Sequence, residues 1–244
     1  MRLTDYKALS FDCYGTLIDW ESGMIQALSG LTGRAGREKK DLSRDQILEA
    51  HARHESAQQR QTPAKRYCEL LPIVYKRLGE EWGVPVSTDE CESYGLSVRD
   101  WPAFVDSPGA LQYLKKYYKL IILSNVDNRT FSFSSRKLQV EFDAIYTAED
   151  IGAYKPDDRN FTYMLDHIGD LGLEKSDLLH TAESLFHDHR PANKHGIAGC
   201  WIYRRHGQKG FGATMDPGKT PKVDFRFNSM AELAKAHQEA LRDG

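Results

Sequence analysis

Five short β-like runs, each closed by a polar cluster, constrain the fold of this chain more than any other feature of its sequence. They are Tyr6–Phe11 before Asp12, Leu120–Leu123 before Ser124 and Asn125, Leu178–Ala182 before Glu183 and Ser184, Gly199–Tyr203 before Arg204 and Arg205, and a weaker Val223–Phe227 before Asn228 and Ser229. Helical patterns such as Pro108–Tyr117 and Arg159–Ile168 lie between them. Short apolar strands alternating with helices predict βαβ units and a parallel sheet buried on both faces, a doubly wound, Rossmann-like α/β core. In such open sheets ligands bind outside the carboxyl ends of the strands. The polar residues closing each run are therefore expected along one edge, where the chemistry is sought.

Residues 20–100 break the rhythm. Leu42–Gln59 and Ala64–Trp82 carry apolar residues at i, i+3, i+4 spacing, and no convincing strand separates them. Ser43 is the expected N-cap of the first, with Asp45 one position short of the usual capping-box acid. The expected organisation is an α/β core of residues 1–19 and 101–244 and a helical cap of residues 20–100, folded as a lid over the strand ends. The plainer alternative is extra helices packed beside the sheet. At the end of the chain, Ser229 and Glu232 predict a capping-box helix.

Charge and cysteine usage exclude several classes. Lys and Arg number 33 against 35 Asp and Glu, a net charge of −2, which leaves no basic footprint for nucleic acid. With 244 residues, 40% of them hydrophobic, the chain can bury a real core, in one large domain or one with an insertion. No apolar run approaches the ~20 residues that span a bilayer. The N-terminal MRLTDYKALSFD lacks an apolar secretory core. Cys13, Cys68, Cys91 and Cys200 lie far apart, unlike a disulfide framework or a zinc site. A soluble cytoplasmic protein is expected, with neither membrane nor nucleic acid as partner.

FDCYGTLID at 11–19 is the most specific segment: an acid at a strand end, then a Gly-containing turn and a Thr. Three others follow in order: Ser124–Asn125, Lys155 within GAYKPDDRNF, and AESLFHDHRPANKHGI with Glu183 and Asp188. Alone, Asp12 would pass for a turn-capping carboxylate and Lys155 for a solvated surface lysine. Together, the segments resemble the four motifs of the haloacid dehalogenase superfamily, closest to its (S)-2-haloacid dehalogenase-like branch. The resemblance implies that Asp12 is a covalent nucleophile. Such a carboxylate must be ionised, held still and relieved of some negative charge. A cation at Lys155 would keep its pKa low. Thr16 and Ser124 can donate hydroxyl hydrogen bonds to Asp12 or to a substrate anion. Asn125 either offers an amide to a leaving anion or ties down its loop.

The position two after the nucleophile separates branches of the superfamily. The phosphatases usually carry a second Asp there, which protonates the leaving alkoxide; here it is Tyr14. Halide is a weak base and needs no proton, whereas an alkoxide is a poor leaving group without one. Tyr14, with Gly15 and Thr16, resembles the YGT of the 2-haloacid dehalogenases. Superfamily members that cleave carbon–phosphorus bonds also lack that Asp.

The fourth segment points two ways. Asp188 matches the acid that directs water at the ester intermediate. Glu183 stands where the dehalogenases tend to carry a small uncharged residue and the magnesium phosphatases an acid. Asp12, Glu183 and Asp188 would then hold Mg²⁺, or Glu183 would pair with Lys155 and leave no metal site. His187, His189 and His195 match no zinc spacing; His187 is expected to line the cavity and the others to face solvent. Arg204 and Arg205 read as a solvated pair or as recruiters of an anion. The resemblance also implies a cap arginine that receives halide, with Arg53 and Arg60 as candidates and Arg34 and Arg37 behind them.

The function expected from these features is hydrolysis of short 2-haloacids to 2-hydroxyacids through an aspartyl ester on Asp12, with a small anionic substrate and no cofactor. The alternatives are a Mg²⁺-dependent phosphatase of the same superfamily and a catalytically inactive binding member. The resemblance leaves a homodimer open.

Overall fold

The computed structural model describes residues 1–37 and 41–243. Six strands make one sheet: β1 (Ala8–Phe11), β2 (Lys119–Ser124), β3 (Ala144–Thr147), β4 (Leu178–Ala182), β5 (Ala198–Ile202) and β6 (Phe225–Phe227). Their order is β3-β2-β1-β4-β5-β6, and every neighbouring pair is parallel. The chain starts at the centre, runs outward through β2 and β3, and returns to the other side of β1 at β4. The strand order therefore reverses at the carboxyl end of β1, the crevice where doubly wound sheets bind ligands.

The central strands carry the uninterrupted burial that made them visible in sequence. All of β1 and β4 is buried, and so is β2 after Lys119. Leu9, Phe11, Leu120 and Ile122 join one core cluster, while Ala8, Ile121 and Leu123 join another with Phe161 and Met164. Alternate residues thus feed opposite faces of the sheet. The register pairs Phe11 with Ile122 on one side and Thr181 on the other, so Asp12, Ser124 and Glu183 emerge at neighbouring strand ends.

Differences from the sequence expectations fall at the edges. β3 is not continuously buried: it is an edge strand with Ile145 exposed. Tyr6 precedes β1 at the end of a 3-10 turn, and β6 is only three residues long.

Between β1 and β2 lie the helices α1 (Trp20–Arg37), α2 (Arg44–Gln61), α3 (Tyr67–Trp82) and α4 (Thr88–Leu96), with no strand among the described residues. Glu38, Lys39 and Lys40, inside the expected cap span, lie outside the described residues. Ser43 caps α2, and its box is closed by Gln46 rather than Asp45: Gln46 N donates to Ser43 Oγ, and Ser43 N donates to Gln46 Oε1. A glutamine at the third position serves as well as an acid. Met24, Leu28, Leu48, Leu70 and Val74 belong to the same core cluster as Phe11 and Ile122, so the apolar sides of these helices are continuous with the core on that side of the sheet.

The remaining helices are α5 (Ser107–Leu114), α6 (Asn128–Leu138), α7 (Ala148–Ile151), α8 (Asp158–His167), α9 (Arg190–Lys194) and α10 (Met230–Arg242). Ser229 caps α10, but Glu232 accepts from Asn228 N instead of closing a box on Ser229. All four cysteines are free. No helix among the described residues is long and apolar enough to cross a membrane.

Candidate active site

Asp12 follows β1 directly, and its own backbone N–H donates to Thr181 O across the sheet. The chain then turns at Gly15, whose φ of 93° suits glycine alone. Leu17 N and Ile18 N both donate back to Cys13 O, closing the loop. That turn places Thr16 Oγ1 2.7 Å from Asp12 Oδ2, to which it donates, while Glu183 N donates to the same hydroxyl at 2.9 Å. One face of the carboxylate is held by a local contact, four residues along the chain.

The other oxygen is held from far away. Lys155 Nζ donates to Asp12 Oδ1 at 2.9 Å, to Asp188 Oδ1 at 2.7 Å and to Leu123 O at 2.8 Å. Its three hydrogens are therefore committed, and the side chain is 1% exposed. Asn125 grips the lysine's backbone, donating to Lys155 O at 3.0 Å and accepting from Lys155 N at 2.6 Å. This is the loop-tying role, although Asn125 also lines the cavity over Asp12.

Asp188 sits in a π-helical turn, Leu185–His189, whose entry is capped by Ser184. Its Oδ1 is shared by Lys155 and by His180 Nε2 at 3.0 Å, and His180 Nδ1 lies 2.8 Å from Ser10 Oγ. Asp188 Oδ2 and Ser124 Oγ are buried with no protein partner. Sequence reasoning missed Ser10 and His180. The signal was a histidine in the middle of the buried run LLHTA, where a titratable ring needs a polar partner.

Burial opposes charge on all three central groups. It pushes the Lys155 ammonium down, but Asp12 and Asp188 outweigh it and hold the pKa above the ordinary value. Burial also pushes Asp188 up, and there Lys155 and His180 win, leaving the carboxyl far below the usual range. For Asp12 burial prevails over Lys155, and the charge of Asp188 adds to it, so its pKa is raised. The expectation that a cation at Lys155 keeps the Asp12 pKa low is corrected: one ammonium is divided between two carboxylates, and burial prevails.

The cavity above Asp12 is small, about 30 Å³ open to the centre of a water molecule. Tyr14 lines it, with its hydroxyl 2.7 Å from Ser134 Oγ in α6 and its ring edge-on to Trp101. His187 lines it too, pushed down to about 4 by burial. The opposite wall comes from the inserted helices: Trp20, Glu55, Gln59 and Tyr67, with Thr214 from the loop after β5. The insertion thus roofs the strand ends. The signal for these residues was faint: Glu55 and Gln59 are polar interruptions, one turn apart, of the buried side of α2.

The arginines stand elsewhere than expected. Arg53 pairs with Glu81 at 2.7 Å on the exposed surface, Arg34 pairs with Glu90, and Arg37 is exposed. Arg60 donates to Ser56 Oγ at 2.8 Å and faces a wider cleft of about 370 Å³, which shares Gln59 and Lys155 with the inner cavity. Among the described residues, no arginine lines the inner cavity. Arg204 and Arg205 are neither solvated nor free for an anion. Arg204 is bidentate to Asp106 at 2.9 and 3.0 Å over the ring of Phe104, and Arg205 grips Glu21 at 2.6 and 2.8 Å.

Glu183 does not pair with Lys155. It faces a separate cavity of about 130 Å³ beside Glu21 and Arg205, and burial, then Glu21, pushes its pKa up to about 8. Among the described residues, no three His, Cys, Asp or Glu side chains gather to hold a metal ion. Glu183 faces a different cavity from Asp12 and Asp188, so these three as arranged do not fit Mg²⁺. His189 does not face solvent: it is buried, 2.9 Å from Ala182 O, while His195 stacks on Phe161.

A parallel sheet with a carboxylate at its switch point, clamped by a threonine and a buried lysine under a helical roof, defines a hydrolase of one class. Residues 6–180 match the model of the haloacid dehalogenase-like hydrolases, and the chain belongs to that family. It is similar in fold to the L-2-haloacid dehalogenase from Xanthobacter autotrophicus with chloropropionic acid covalently bound, at TM-score 0.76 and 14% identity over 96% of this chain and 98% of that one. A defluorinating L-2-haloacid dehalogenase superposes at TM-score 0.72 and 19% identity over 96% and 98% of the two chains. The HAD-hydrolase YfnB from Bacillus subtilis, bound to magnesium, does so at TM-score 0.70 and 19% identity with the same coverage. No curated protein sequence matches the chain.

Proposed function

We propose that this hydrolase cleaves the carbon–halogen bond of a short 2-haloacid through a covalent ester on Asp12. The observation that carries the reading is the state of Tyr14. Its hydroxyl lies 2.7 Å from Ser134 Oγ, so the position where the phosphatases carry a leaving-group carboxylic acid holds a hydrogen-bonded phenol. A leaving group that needs no proton suits that arrangement.

In the proposed cycle Asp12 attacks the halogen-bearing carbon in line, with inversion, and halide leaves into the cavity. Lys155 and Thr16 hold the carboxylate still; they touch different oxygens, at 2.9 and 2.7 Å. Among the described residues no arginine lines the cavity, so the departing halide meets the Asn125 amide and aromatic walls. Water directed by Asp188, whose Oδ2 is unpartnered, then attacks the carboxyl carbon of Asp12 and releases a 2-hydroxyacid. The cycle uses no cofactor.

Chloride release from chloroacetate, measured beside phosphate release from p-nitrophenyl phosphate with and without Mg²⁺, tests the reading. Chloride release without a metal requirement is expected. Strong Mg²⁺-dependent phosphatase activity would replace it with the phosphatase alternative, and inertness to both substrates with the binding-member alternative.

A further inference from the structure

The inner cavity is too small for a whole substrate. One water needs roughly 10–15 Å³ of such space, so about 30 Å³ takes about two water-sized groups. That is room for the reacting carbon and the halide. The carboxylate beside them finds donors at the strand ends, where Ser124 Oγ is buried without a protein partner and the Asn125 amide lines the cavity. Any chain carried by the reacting carbon has to leave the inner cavity.

The way out leads into the wider cleft. Gln59 and Lys155 belong to the walls of both the inner cavity and the cleft of about 370 Å³. Pro63, Pro156 and Phe186 give that cleft apolar surface, with Tyr154, whose hydroxyl donates to Lys65 O. Its charges are not balanced. Arg159 closes on Asp157 through Nε at 3.1 Å and Nη2 at 3.0 Å, and Lys155 is committed to Asp12 and Asp188. Arg60 has no carboxylate partner among the described residues; its Nη1 donates to Ser56 Oγ at 2.8 Å.

We propose that this cleft is a second subsite, taking the chain of a 2-haloacid that ends in a second carboxylate, with Arg60 as the group that reads that end.

A guanidinium carries five N–H donors in a planar fork that matches a carboxylate, so one bond to Ser56 leaves donors for a two-point grip. Ser56 stands one turn back on α2 and orients the fork before a ligand arrives. Methylenes of the chain gain by leaving water against Phe186 and the prolines. A chain with a neutral end has that gain alone. A chain ending in an ammonium is repelled by Arg60, and the one acid of the cleft, Asp157, is already paired.

This inference rests on the reading of the site as one for 2-haloacids, and it is tested with the 2-hydroxyacids that such a reaction releases, so that no carbon–halogen bond need break. Calorimetric affinities are compared for lactate, 2-hydroxyhexanoate, 2-hydroxyadipate and 6-amino-2-hydroxyhexanoate, with the wild type, Arg60→Gln and Arg60→Glu. The wild type is expected to bind 2-hydroxyhexanoate about tenfold tighter than lactate, through partial burial of the added methylenes. It should bind 2-hydroxyadipate about fivefold tighter again, the scale of one ion pair at an exposed arginine. Arg60→Gln should bring 2-hydroxyadipate and 2-hydroxyhexanoate level. Arg60→Glu should reverse the order of the charged ends and put the amine ahead of the diacid, whereas loss of a merely structural arginine would weaken every ligand alike.

Equal affinity of the wild type for the three longer acids would overturn the proposal and leave the cleft a mere entrance. A preference for the diacid that survives in Arg60→Glu would overturn it, and so would failure of 2-hydroxyadipate to bind. The wild-type comparison decides the point even if a variant does not fold. Selective binding of the diacid without halide release from 2-chloropropionate or 2-chloroadipate would remove the dehalogenase reading and keep the subsite. Halide release from 2-chloropropionate with no discrimination among chain ends would do the reverse.

Discussion

His180 Nε2 lies 3.0 Å from Asp188 Oδ1, and both side chains are shut away from solvent. With Lys155 on the same oxygen, this contact turns Oδ2 of Asp188 toward the free role of accepting from water. His180→Asn is therefore expected to slow hydrolysis of the ester more than its formation. The loss should be about tenfold or more, smaller than the 10²–10⁴ of removing a general base outright. Intact mass spectrometry during turnover should show the substrate-derived ester accumulating on Asp12. A lower melting temperature with no accumulation would mean that His180 serves packing alone.

Lys155→Met leaves Asp12 and Asp188 buried without their shared cation. Breaking such a pair typically costs about 3–5 kcal/mol of stability. Turnover should fall at least ~10²-fold, the scale seen when one preorganised electrostatic group is lost. Removing the cation that lowers the pKa of both carboxyls should also shift the acidic limb of the pH–rate profile upward. Near-normal turnover at neutral pH would reduce the lysine to a bystander.

The source of the product's oxygen tests the covalent route. In a single turnover in H₂¹⁸O with enzyme in excess, an aspartyl ester delivers an unlabelled oxygen to the hydroxyacid and leaves ¹⁸O in Asp12. General-base catalysis by Asp12 would put the label straight into the product. Label in the peptide containing Asp12 is expected; an unlabelled peptide with fully labelled product would remove nucleophilic catalysis.

Glu55 and Glu183 make stability depend on pH. Burial raises them from 4.5 to about 7 and about 8. Between the unfolded and folded values the native state binds more protons, so stability falls as pH climbs through these windows and levels off above them. At about 1.4 kcal/mol per pH unit the penalty reaches a few kcal/mol for each group. Glu183→Gln should therefore raise Tm over the wild type by several degrees more at pH 8.5 than at pH 5. An equal difference at both pH values would mean that Glu183 titrates normally.

Tyr14→Asp would lose the bond to Ser134 and the edge contact with Trp101 while adding an acid where the proposed leaving group needs none. Halide release should not improve, and p-nitrophenyl phosphate hydrolysis in Mg²⁺ should rise from a low level. Faster dehalogenation by this variant would show that proton donation limits the reaction.

Sequence patterning alone determined the α/β order, the central strands, the helical insertion and the two halves of the site that chain geometry brings together. A buried parallel strand must be apolar along its length, so β1, β2 and β4 announced themselves, and the residues closing them, Asp12, Ser124 and Glu183, had to share an edge. Thr16 reaches Asp12 across one local turn. Only the tertiary structure decided which charges meet. Lys155 spans 143 residues to Asp12, Arg204 and Arg205 turn inward to Asp106 and Glu21, and Glu183 points into a different cavity from Lys155. Glu55 became visible only when α2 was laid over the strand ends. Periodicity reports which side of an element avoids water, but a side chain's ionisation depends on the desolvation and partners that packing supplies, and those come from segments far apart in the chain.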